Sequence, residues 1–397
     1  MSTETTWIKN VDIYIETKII ERGSIIIRDG KIKQILTEGA SPSDSVDTIV
    51  DGKGRNLIPG FIDGHIHGAN GADVMDATEE ALDTMAQVLP AEGTTSFLAT
   101  TMTQSRANID QALENIGMYA NKPGYAEVIG VHLEGPFINI EKSGAQPVNH
   151  ILKPNIEQFA EWQRLSGDKI KTITLAPECD EDHALIHYLA EKGVNISAGH
   201  TSAGFQEMQK AVEHGVSQVT HLANAMTGLH HRDVGVVGAA FLLEELRAEL
   251  IADGIHISPE MIDIFYRNIG KERLMIITDA LRAKCLQPGT YDLGGQSVTV
   301  TDQQATLENG TLAGSILKLR DGAKNVMRYT GAALQDVIEM TSVNPAKQID
   351  VFDRKGSIEI GKDADVLLVD DELNIYRTYC RGVLSYSEGN EHANNGS

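Results

Sequence analysis

The sequence predicts an α/β protein whose largest part is a (β/α)8 barrel of the TIM type, with a small β-sandwich domain built from both chain ends. After residue 57, apolar strand-like runs alternate with helical patterns, and such alternation implies a parallel sheet with right-handed crossovers. Eight of these units in about 225 residues fit a closed barrel. The two chain ends have β patterns without intervening helices. An open doubly wound sheet is the alternative architecture.

Residues 1–56 are expected to form the N-terminal part of the small β-domain. The segments KNVDIYIE, GSIIIRDGKIKQIL and DTIVDGKGRNLI contain alternating or clustered β-branched residues, which are typical of strands. Turn signals interrupt these segments at Asp29-Gly30, Ser41-Pro42 and Asp51-Gly52. The stretch is too short to enclose a hydrophobic core alone, so we expect it to share one with another part of the chain.

Residues 57–344 are expected to form the barrel. The candidate strands are LIPGFIDGH, TSFLATTM, EVIGVHLEGP, TITLAPE, VNISAGH, QVTHLAN, ELIADGIHI and LMIITDA. Segments between them, such as AGFQEMQKAVEHG, have apolar residues at helical spacing and end in glycine, as many helices do. Residues 345–386 return to a β pattern and are expected to complete the small domain. The polar tail, 387–397, is expected to be disordered.

Composition and charge narrow the class of partner. The chain has 397 residues, a formal net charge of −22 and no basic stretch to offset it, which argues against a nucleic-acid partner. No apolar run approaches the roughly 18 residues of a membrane span, so no membrane partner is expected. The three cysteines lie far apart and the N-terminus lacks a signal-peptide pattern. A cytoplasmic location is therefore expected.

Side chains that can bind a metal follow most of the predicted barrel strands. In this fold the active site lies at the C-terminal ends of the strands. His65 and His67 share one face of the first strand, because successive strand residues alternate faces. The other such residues are Glu134, His200, His221, His256 and Asp279, after strands three, five, six, seven and eight. We expect these residues to meet at one rim, with His132 as a packing residue.

This set of residue types predicts a catalytic metal site. Imidazole and carboxylate ligands together suit zinc or ferrous iron. Three protein ligands with an open position are typical of catalysis, and the pKa of a bound water then falls from 15.7 to about 7. Asp279 could accept a proton from that water and return it to a leaving group. Metal-assisted hydrolysis of a C–N bond is the predicted chemistry. Taken singly, Glu134 could instead accept backbone hydrogen bonds and His200 could cap a helix.

Short motifs distributed over nearly the whole chain carry a family resemblance. They are PGFIDGHIHG, HLEGPF, LAPE, SAGHT, THLANAM, HHRDVGVVGAA, IADGIH, TDA and LAGS, with NPAK and KGSIEIGKDADVLLVD towards the end. These motifs resemble the amidohydrolase superfamily, and most closely its N-acetylglucosamine-6-phosphate deacetylase family. The resemblance implies removal of the acetyl group from N-acetyl-D-glucosamine 6-phosphate. Deacetylation of an unphosphorylated or differently substituted amino sugar is the alternative. A scaffold without catalysis is a third reading, which the intact set of ligands disfavours.

The resemblance also implies roles for single residues. Glu134, His200 and His221 would be the principal metal ligands, His65 and His67 would support a second zinc or iron ion, and Asp279 would be the acid/base. Substrate contacts would come from Ala145, Gln146, Asn224, Ala225, His256, Leu312, Ala313, Gly314 and Ser315. Arg232 matches a phosphate-binding arginine that, in the family's homodimers, reaches the neighbouring subunit's site. Gln146 stands where the family usually has histidine, and glutamine cannot carry positive charge at neutral pH.

Overall fold

A sheet of eight parallel strands forms the centre of the molecule, and a separate seven-stranded sheet combines strands from both chain ends. The computed structural model describes residues 4–43 and 45–389. Residues 390–397, most of the tail expected to be disordered, lie outside the described residues.

The strands and helices follow one another as the sequence patterns predict. The N-terminal strands are β1 (Thr6–Ile15), β2 (Lys18–Arg28), β3 (Lys31–Leu36) and β4 (Thr48–Pro59). The barrel region contains β5 (Phe61–Ile66), β6 (Gly68–Ala69), β7 (Ala72–Asp73), α1 (Glu79–Val88), β8 (Thr94–Thr101), α2 (Arg106–Met118), β9 (Glu127–Glu134), α3 (Ile156–Leu165), β10 (Ile170–Leu175), α4 (Ala184–Glu191), β11 (Asn195–Ala198), α5 (Phe205–His214), β12 (Val216–Val219), α6 (Gly235–Leu242), β13 (Arg247–Ile251), α7 (Pro259–Ile269) and β14 (Leu274–Ile277). The chain continues with β15 (Gly289–Leu293), β16 (Gln296–Val300), β17 (Ala305–Leu307), α8 (Leu319–Thr330), α9 (Leu334–Ile338), α10 (Asn344–Gln348), β18 (Val366–Val369), β19 (Ile375–Cys380) and β20 (Val383–Ser387).

The barrel closes between its first and last strands. Its strand order is β5-β8-β9-β10-β11-β12-β13-β14, and β14 contacts β5 directly. The Asp279 N–H donates to the His65 carbonyl at 2.8 Å, and the Thr278 hydroxyl donates to the Asp63 carboxylate at 2.6 Å. The predicted barrel and its eight strands are confirmed. The alternative of an open sheet is wrong, because these contacts join the two edges.

Helix α7 illustrates how local chemistry sets the helix ends. The Ser258 hydroxyl accepts a hydrogen bond from the Met261 N–H, and Pro259 occupies the first turn, where its missing N–H costs no helical bond. The helix ends before Gly270. Its buried residues are Ile262, Phe265 and Ile269, a spacing that forms one apolar stripe. No helix within the described residues has the length and apolar character needed to cross a membrane.

The small domain is one sheet shared by the two chain ends, as predicted. Its strand order is β20-β19-β18-β4-β1-β2-β3, and Ile58 of β4 pairs with Leu367 of β18. At the far edge the Ile32 N–H donates to the Lys362 carbonyl at 3.0 Å, so the sheet bends round towards the segment before β18. The enclosed core includes Ile8, Ile25, Val50, Leu57, Val366 and Tyr379. Neither chain end encloses this core alone.

The predicted turn at Asp51-Gly52 is wrong, because both residues lie inside β4. The pairing of β4 with β1 is interrupted there and resumes at Arg55. Within the interruption, Lys53 has φ 56° and its N–H donates to the Asp51 carboxylate at 2.8 Å. The turn signal therefore produces a bulge, and the strand continues beyond it because its later residues pair with both β1 and β18.

A cluster of buried ion pairs joins the barrel to the segment that leads into the small domain. Glu127, at the start of β9, lies 2.7 Å from the Lys355 Nζ and 2.8 Å from the Arg354 guanidinium. Lys355 also pairs with Asp363 and Asp365, and its side chain is 1% exposed. Buried charges are tolerated only when such partners are present. The cluster therefore fixes the two domains to each other.

This cluster predicts a loss of stability in acid. Burial raises the pKa of Glu127, but Lys355 and Arg354 outweigh it and lower the pKa to about 2. Glu127 thus stabilises the fold fully above its ordinary pKa of 4.5, and this contribution is lost as pH falls towards 2. We expect the urea concentration at the unfolding midpoint to decrease as the pH is lowered from 7 to about 3. Glu127→Gln should make this decrease smaller. An unchanged slope in the variant would contradict the assignment.

Candidate metal centre and substrate cavity

The predicted metal ligands and the predicted acid/base meet at the C-terminal rim of the barrel. They are His65 and His67 at the end of β5, Glu134 at the end of β9, His200 after β11, His221 after β12 and Asp279 after β14. The ligand side chains are almost fully buried, and that of Asp279 is 13% exposed. Residues far apart in sequence meet here because the carboxyl ends of parallel strands share one rim.

The Glu134 carboxylate lies at the centre of this cluster. Its Oε1 is 3.3 Å from the Nε2 atoms of both His200 and His221, and 3.4 Å from the His65 Nε2. Its Oε2 is 3.3 Å from the His67 Nε2. The His67 Nε2 is also 3.2 Å from the Asp279 carboxylate. Four imidazoles therefore converge on one carboxylate, and a second carboxylate lies beside them.

The backbone carries strain at three residues of the cluster. The φ angle is 49° at His200, 31° at His221 and 48° at Asp279, a left-handed conformation that costs a non-glycine residue about 1–3 kcal/mol. The turn at Asp279 is held on both sides, because its N–H donates to the His65 carbonyl and its own carbonyl accepts the Ser315 N–H, both at 2.8 Å. The same conformation occurs at other residues of the chain, such as Lys53, but three instances within one cluster of buried polar side chains agree with a functional site.

The charges of the cluster shift one another's pKa values. Burial lowers the pKa of His67, but the Asp279 and Glu134 carboxylates outweigh it and raise the pKa to about 10. Burial raises the pKa of Asp279, but the His65 and His67 charges outweigh it and lower the pKa to about 2. Burial likewise opposes ionisation of Glu134, whose histidine neighbours hold its pKa well below the usual value. Both carboxylates are therefore ionised at neutral pH.

The residues present fit a divalent metal. Three sets of three residues have ligand atoms that all lie within 4.8 Å of one another: Glu134 with His200 and His221, His65 with His67 and Asp279, and His65 with His132 and Glu249. The His65 Nε2 is buried and has no hydrogen-bond partner among the described residues, although buried polar atoms are normally satisfied. Imidazole and carboxylate sets of this kind suit a catalytic metal with an open position.

His132 lies beside these residues but is occupied by other partners. Its Nδ1 is 3.1 Å from the Gly64 carbonyl and its Nε2 is 2.7 Å from the Thr174 hydroxyl. Burial, together with the His65 charge, lowers the pKa of His132 to about 4. A neutral imidazole then donates to the carbonyl and accepts from the hydroxyl. The ring joins strands inside the barrel and offers no free nitrogen to a cation.

A cavity of about 340 Å³ opens directly onto the cluster. The predicted substrate-binding residues that line it are Ala145, Gln146, Asn224, Ala225, His256, Leu312 and Gly314. His256 is held by a 2.7 Å contact between its Nδ1 and the Asp253 carboxylate. Gly314 has φ 60°, and a Cβ there would lie 2.9 Å from the Asp279 carbonyl. Glycine is required at this position because the loop passes so close to the acid/base residue.

Three predicted residues do not reach this cavity. Ala313 is fully buried among the side chains that support β15–β17. Ser315 lies behind the Asp279 turn, which its N–H holds in place. Arg232 is exposed on the segment before α6, where its guanidinium is 2.8 Å from the His231 Nε2. In the single chain, Arg232 is therefore separate from the cavity.

Gln146 contacts the metal cluster more closely than its predicted role requires. Its Nε2 donates to the Glu134 Oε2 at 2.6 Å, and its Oε1 accepts the Thr103 N–H at 2.9 Å. Both polar ends of the side chain are thus engaged by the protein. The contact orients Glu134, so that Gln146 acts on the ligand carboxylate as well as lining the cavity.

The sequence patterns did not single out several residues of this region. Cavity-lining residues of this kind are Met102, Glu141, Lys142, Gly144, Leu293 and Thr311. Glu249 was also missed, although its carboxylate lies 3.0 Å from the His65 Nδ1. A carboxylate as the first residue of the predicted strand ELIADGIHI, directly before Leu250 and Ile251, was the available signal for it. The lining residues gave no such signal, because they lie on loops whose folding brings them to the rim.

A second, larger cavity of about 620 Å³ lies between the small sheet and the segment after α2. Its apolar walls include Ile27, Val50 and Val383. Two of its cations are already paired, Lys31 with Asp363 and Arg381 with Glu127. The catalytic chemistry therefore belongs to the smaller cavity, where the titratable groups converge.

The barrel and its rim of histidines and carboxylates define a class of protein, an α/β-barrel with a candidate catalytic metal site. Residues 56–385 match the model of the amidohydrolase family. The chain belongs to this family, and the predicted resemblance to it is confirmed.

Individual relatives align over most of the chain. The N-acetylglucosamine-6-phosphate deacetylase of Bacillus subtilis is 43% identical over 396 residues, covering 96% of this chain and 98% of the relative. The N-acetylgalactosamine-6-phosphate deacetylase of Escherichia coli O157:H7 is 34% identical over 330 residues, covering 83% of this chain and 87% of the relative. The crystal structure of N-acetylglucosamine-6-phosphate deacetylase from Thermotoga maritima has a TM-score of 0.86 at 34% identity, covering 96% of this chain and 99% of that one.

Proposed function

We propose that this chain is a metal-dependent hydrolase that converts N-acetyl-D-glucosamine 6-phosphate to D-glucosamine 6-phosphate and acetate. The observation that carries the proposal is the convergence of Glu134, His200 and His221 beside Asp279, at the inner end of a cavity of suitable size for a sugar. The Bacillus subtilis relative, which aligns over almost its whole length, is named N-acetylglucosamine-6-phosphate deacetylase.

Glu134, His200 and His221 would hold the principal zinc or ferrous ion, and His65, His67 and Asp279 offer ligands for a second. When bound, such a metal supplies a Lewis acid and lowers the pKa of a bound water. The histidines must be neutral to serve as ligands. Because neighbouring carboxylates raise the pKa of His65 and His67, metal uptake would release protons.

The remaining chemistry falls to the chain's own residues. Asp279 is ionised and fixed by two backbone hydrogen bonds, so it can accept a proton from the attacking water. It then returns this proton to the amine as the C–N bond breaks. Burial lowers the pKa of His256, but Asp253 outweighs it and raises the pKa, which favours a ring that donates to sugar oxygens. Asn224 and Ala225 would complete the substrate contacts.

Phosphate recognition would need cations at the cavity. Lys142 is the one lysine or arginine that lines it within the described residues. Arg232 is exposed and does not line the cavity of its own chain, which agrees with the proposal that it binds phosphate in the neighbouring subunit's site of a homodimer. Gln146 is hydrogen-bonded to Glu134 and Thr103, so phosphate binding would depend on Lys142 and Arg232. A cytoplasmic location is part of the same proposal.

Acetate release from three sugars would test this proposal. With zinc or ferrous iron restored, we expect kcat/KM for N-acetylglucosamine 6-phosphate to be at least about tenfold higher than for N-acetylgalactosamine 6-phosphate or for unphosphorylated N-acetylglucosamine. Arg232→Ala should lower only the rates on phosphorylated sugars. Arg267→Ala, at an exposed arginine of α7, is the matched control and should change none of them. Equal or reversed preference between the phosphorylated and unphosphorylated sugar would contradict N-acetylglucosamine 6-phosphate as the substrate.

A further inference from the structure

A chain of hydrogen bonds runs through the barrel from Arg247, at the start of β13, to His65 in the metal cluster. Its successive donor–acceptor pairs are the Arg247 Nη1 to the Gln348 Oε1 at 2.6 Å, the Gln348 Nε2 to the Asn195 Oδ1 at 2.6 Å, the Asn195 Nδ2 to the Gln218 Oε1 at 2.7 Å and the Gln218 Nε2 to the Glu249 Oε1 at 2.6 Å. The Glu249 Oε2 then lies 3.0 Å from the His65 Nδ1.

The two ends of this chain fix its direction. Arginine has only donors and an ionised carboxylate has only acceptors. Each amide between them must therefore accept with its oxygen on the Arg247 side and donate with its nitrogen on the Glu249 side. The same logic requires His65 to donate from its Nδ1, because Glu249 cannot donate to it. In the neutral ring that a metal requires, the Nε2 of His65 then has the lone pair.

Glu249 also holds a second part of the cluster. Its Oε2 accepts the His221 backbone N–H at 3.1 Å, next to the strained turn at that residue. The Glu249 side chain is nearly fully buried, and both of its oxygens face N–H donors. One carboxylate therefore contacts two of the residues that would hold metal, without facing the cavity itself.

We propose that Glu249 is a positioning residue of the metal centre. It holds His65 with the hydrogen on Nδ1, so that the buried Nε2, which has no hydrogen-bond partner among the described residues, is presented to a cation, and it fixes the backbone at His221. This inference rests on the proposed function, because it concerns the histidine that would support the second ion. Partners that orient a ligand histidine in this way typically change metal affinity by about 10–100-fold.

An amide at position 249 cannot satisfy both neighbours. In Glu249→Gln, one orientation directs the new NH₂ group at the Gln218 NH₂ group, whose position Asn195 fixes. The other orientation directs it at the His65 Nδ1, which must then give up its hydrogen and carry it on Nε2 instead. The exchanged pair Gln218→Glu/Glu249→Gln removes this conflict, because the carboxylate then accepts from Asn195 and from the new amide, whose oxygen faces His65.

Zinc affinity tests this inference without an activity assay. Bound zinc per chain would be measured by equilibrium dialysis over a series of buffered zinc concentrations. We expect wild type to bind two ions, and Glu249→Gln to weaken one of them by about 10–100-fold. The exchanged pair should recover most of this loss, and it preserves the number of donors and acceptors if the single variant fails to fold. Recovery would distinguish hydrogen-bond direction from general packing.

Asp180→Asn provides the matched control. Asp180 is another buried carboxylate, but it accepts the Leu185 and Ile186 N–H groups near α4, so both zinc affinities should stay unchanged. The inference is overturned if Glu249→Gln keeps both affinities, if the exchanged pair binds no better than the single variant, or if wild type binds one ion that His65→Asn does not weaken. Two bound ions without deacetylation of any phosphosugar would instead remove the proposed function and leave the inference intact.

Discussion

Asp279→Asn is expected to lower kcat on N-acetylglucosamine 6-phosphate by about 10²–10⁴-fold, the usual contribution of a general acid/base. Asparagine keeps the shape of the side chain and the two backbone hydrogen bonds at this turn. It cannot accept a proton from water or return one to the departing amine. Steady-state kinetics on zinc-loaded protein, with zinc content measured in parallel, would give the result.

The control for this variant is Asp292→Asn. Asp292 lies on β15 close to the cavity but is exposed and does not line it, so kcat should stay unchanged. We expect the ion held by Glu134, His200 and His221 to remain bound in Asp279→Asn. Near-wild-type turnover by metal-loaded Asp279→Asn would show that another group transfers the proton.

Glu134→Gln is expected to release the principal metal ion and reduce turnover to background. Glu134 faces four imidazoles at 3.3–3.4 Å, and no other carboxylate lies within 4 Å of the ring nitrogens of His200 or His221 in the described part of the chain. The loss of affinity should exceed the roughly 10–100-fold that is typical of a partner outside the ligand set. Metal content after dialysis, followed by kinetics with added metal, would measure it.

Glu141→Gln is the matched control for Glu134→Gln. Glu141 also lines the cavity, but it is not in a ligand group, so metal content should match that of wild type. High added zinc should restore part of the turnover of Glu134→Gln, because His200 and His221 remain. Full metal content and full turnover in Glu134→Gln would show that the principal metal ion is held by His65, His67 and Asp279 instead.

The barrel could be predicted because its strands have a recognisable pattern in the sequence. Parallel strands covered on both faces are continuous apolar runs, and β14, with the sequence LMII, is buried along its whole length. The rim residues could be predicted for a related reason, since His200, His221 and Asp279 each follow a predicted strand within a few positions. The rule that places active sites at these ends then brings them together without knowledge of any distance.

Features that depend on contacts between distant residues could not be predicted. Glu249 lies within β13, and its importance follows from Gln218 and His65, which are close only in the folded barrel. Gln146 was interpreted as a substrate residue because sequence shows neither the Glu134 nor the Thr103 contact. The bulge in β4 has the same local signal at Asp51 as a turn, and only the pairing with β1 distinguishes the two.

The shared sheet has a consequence for how the protein is made on the ribosome. Strand β4 pairs on one side with β1, but on the other side with β18, which is synthesised only after the entire barrel. Until then the β4 edge has no partner, and an uncovered strand edge is a template for aggregation. The nascent chain must therefore carry an open edge through most of its synthesis, and a chain that stops before β18 would keep that edge permanently.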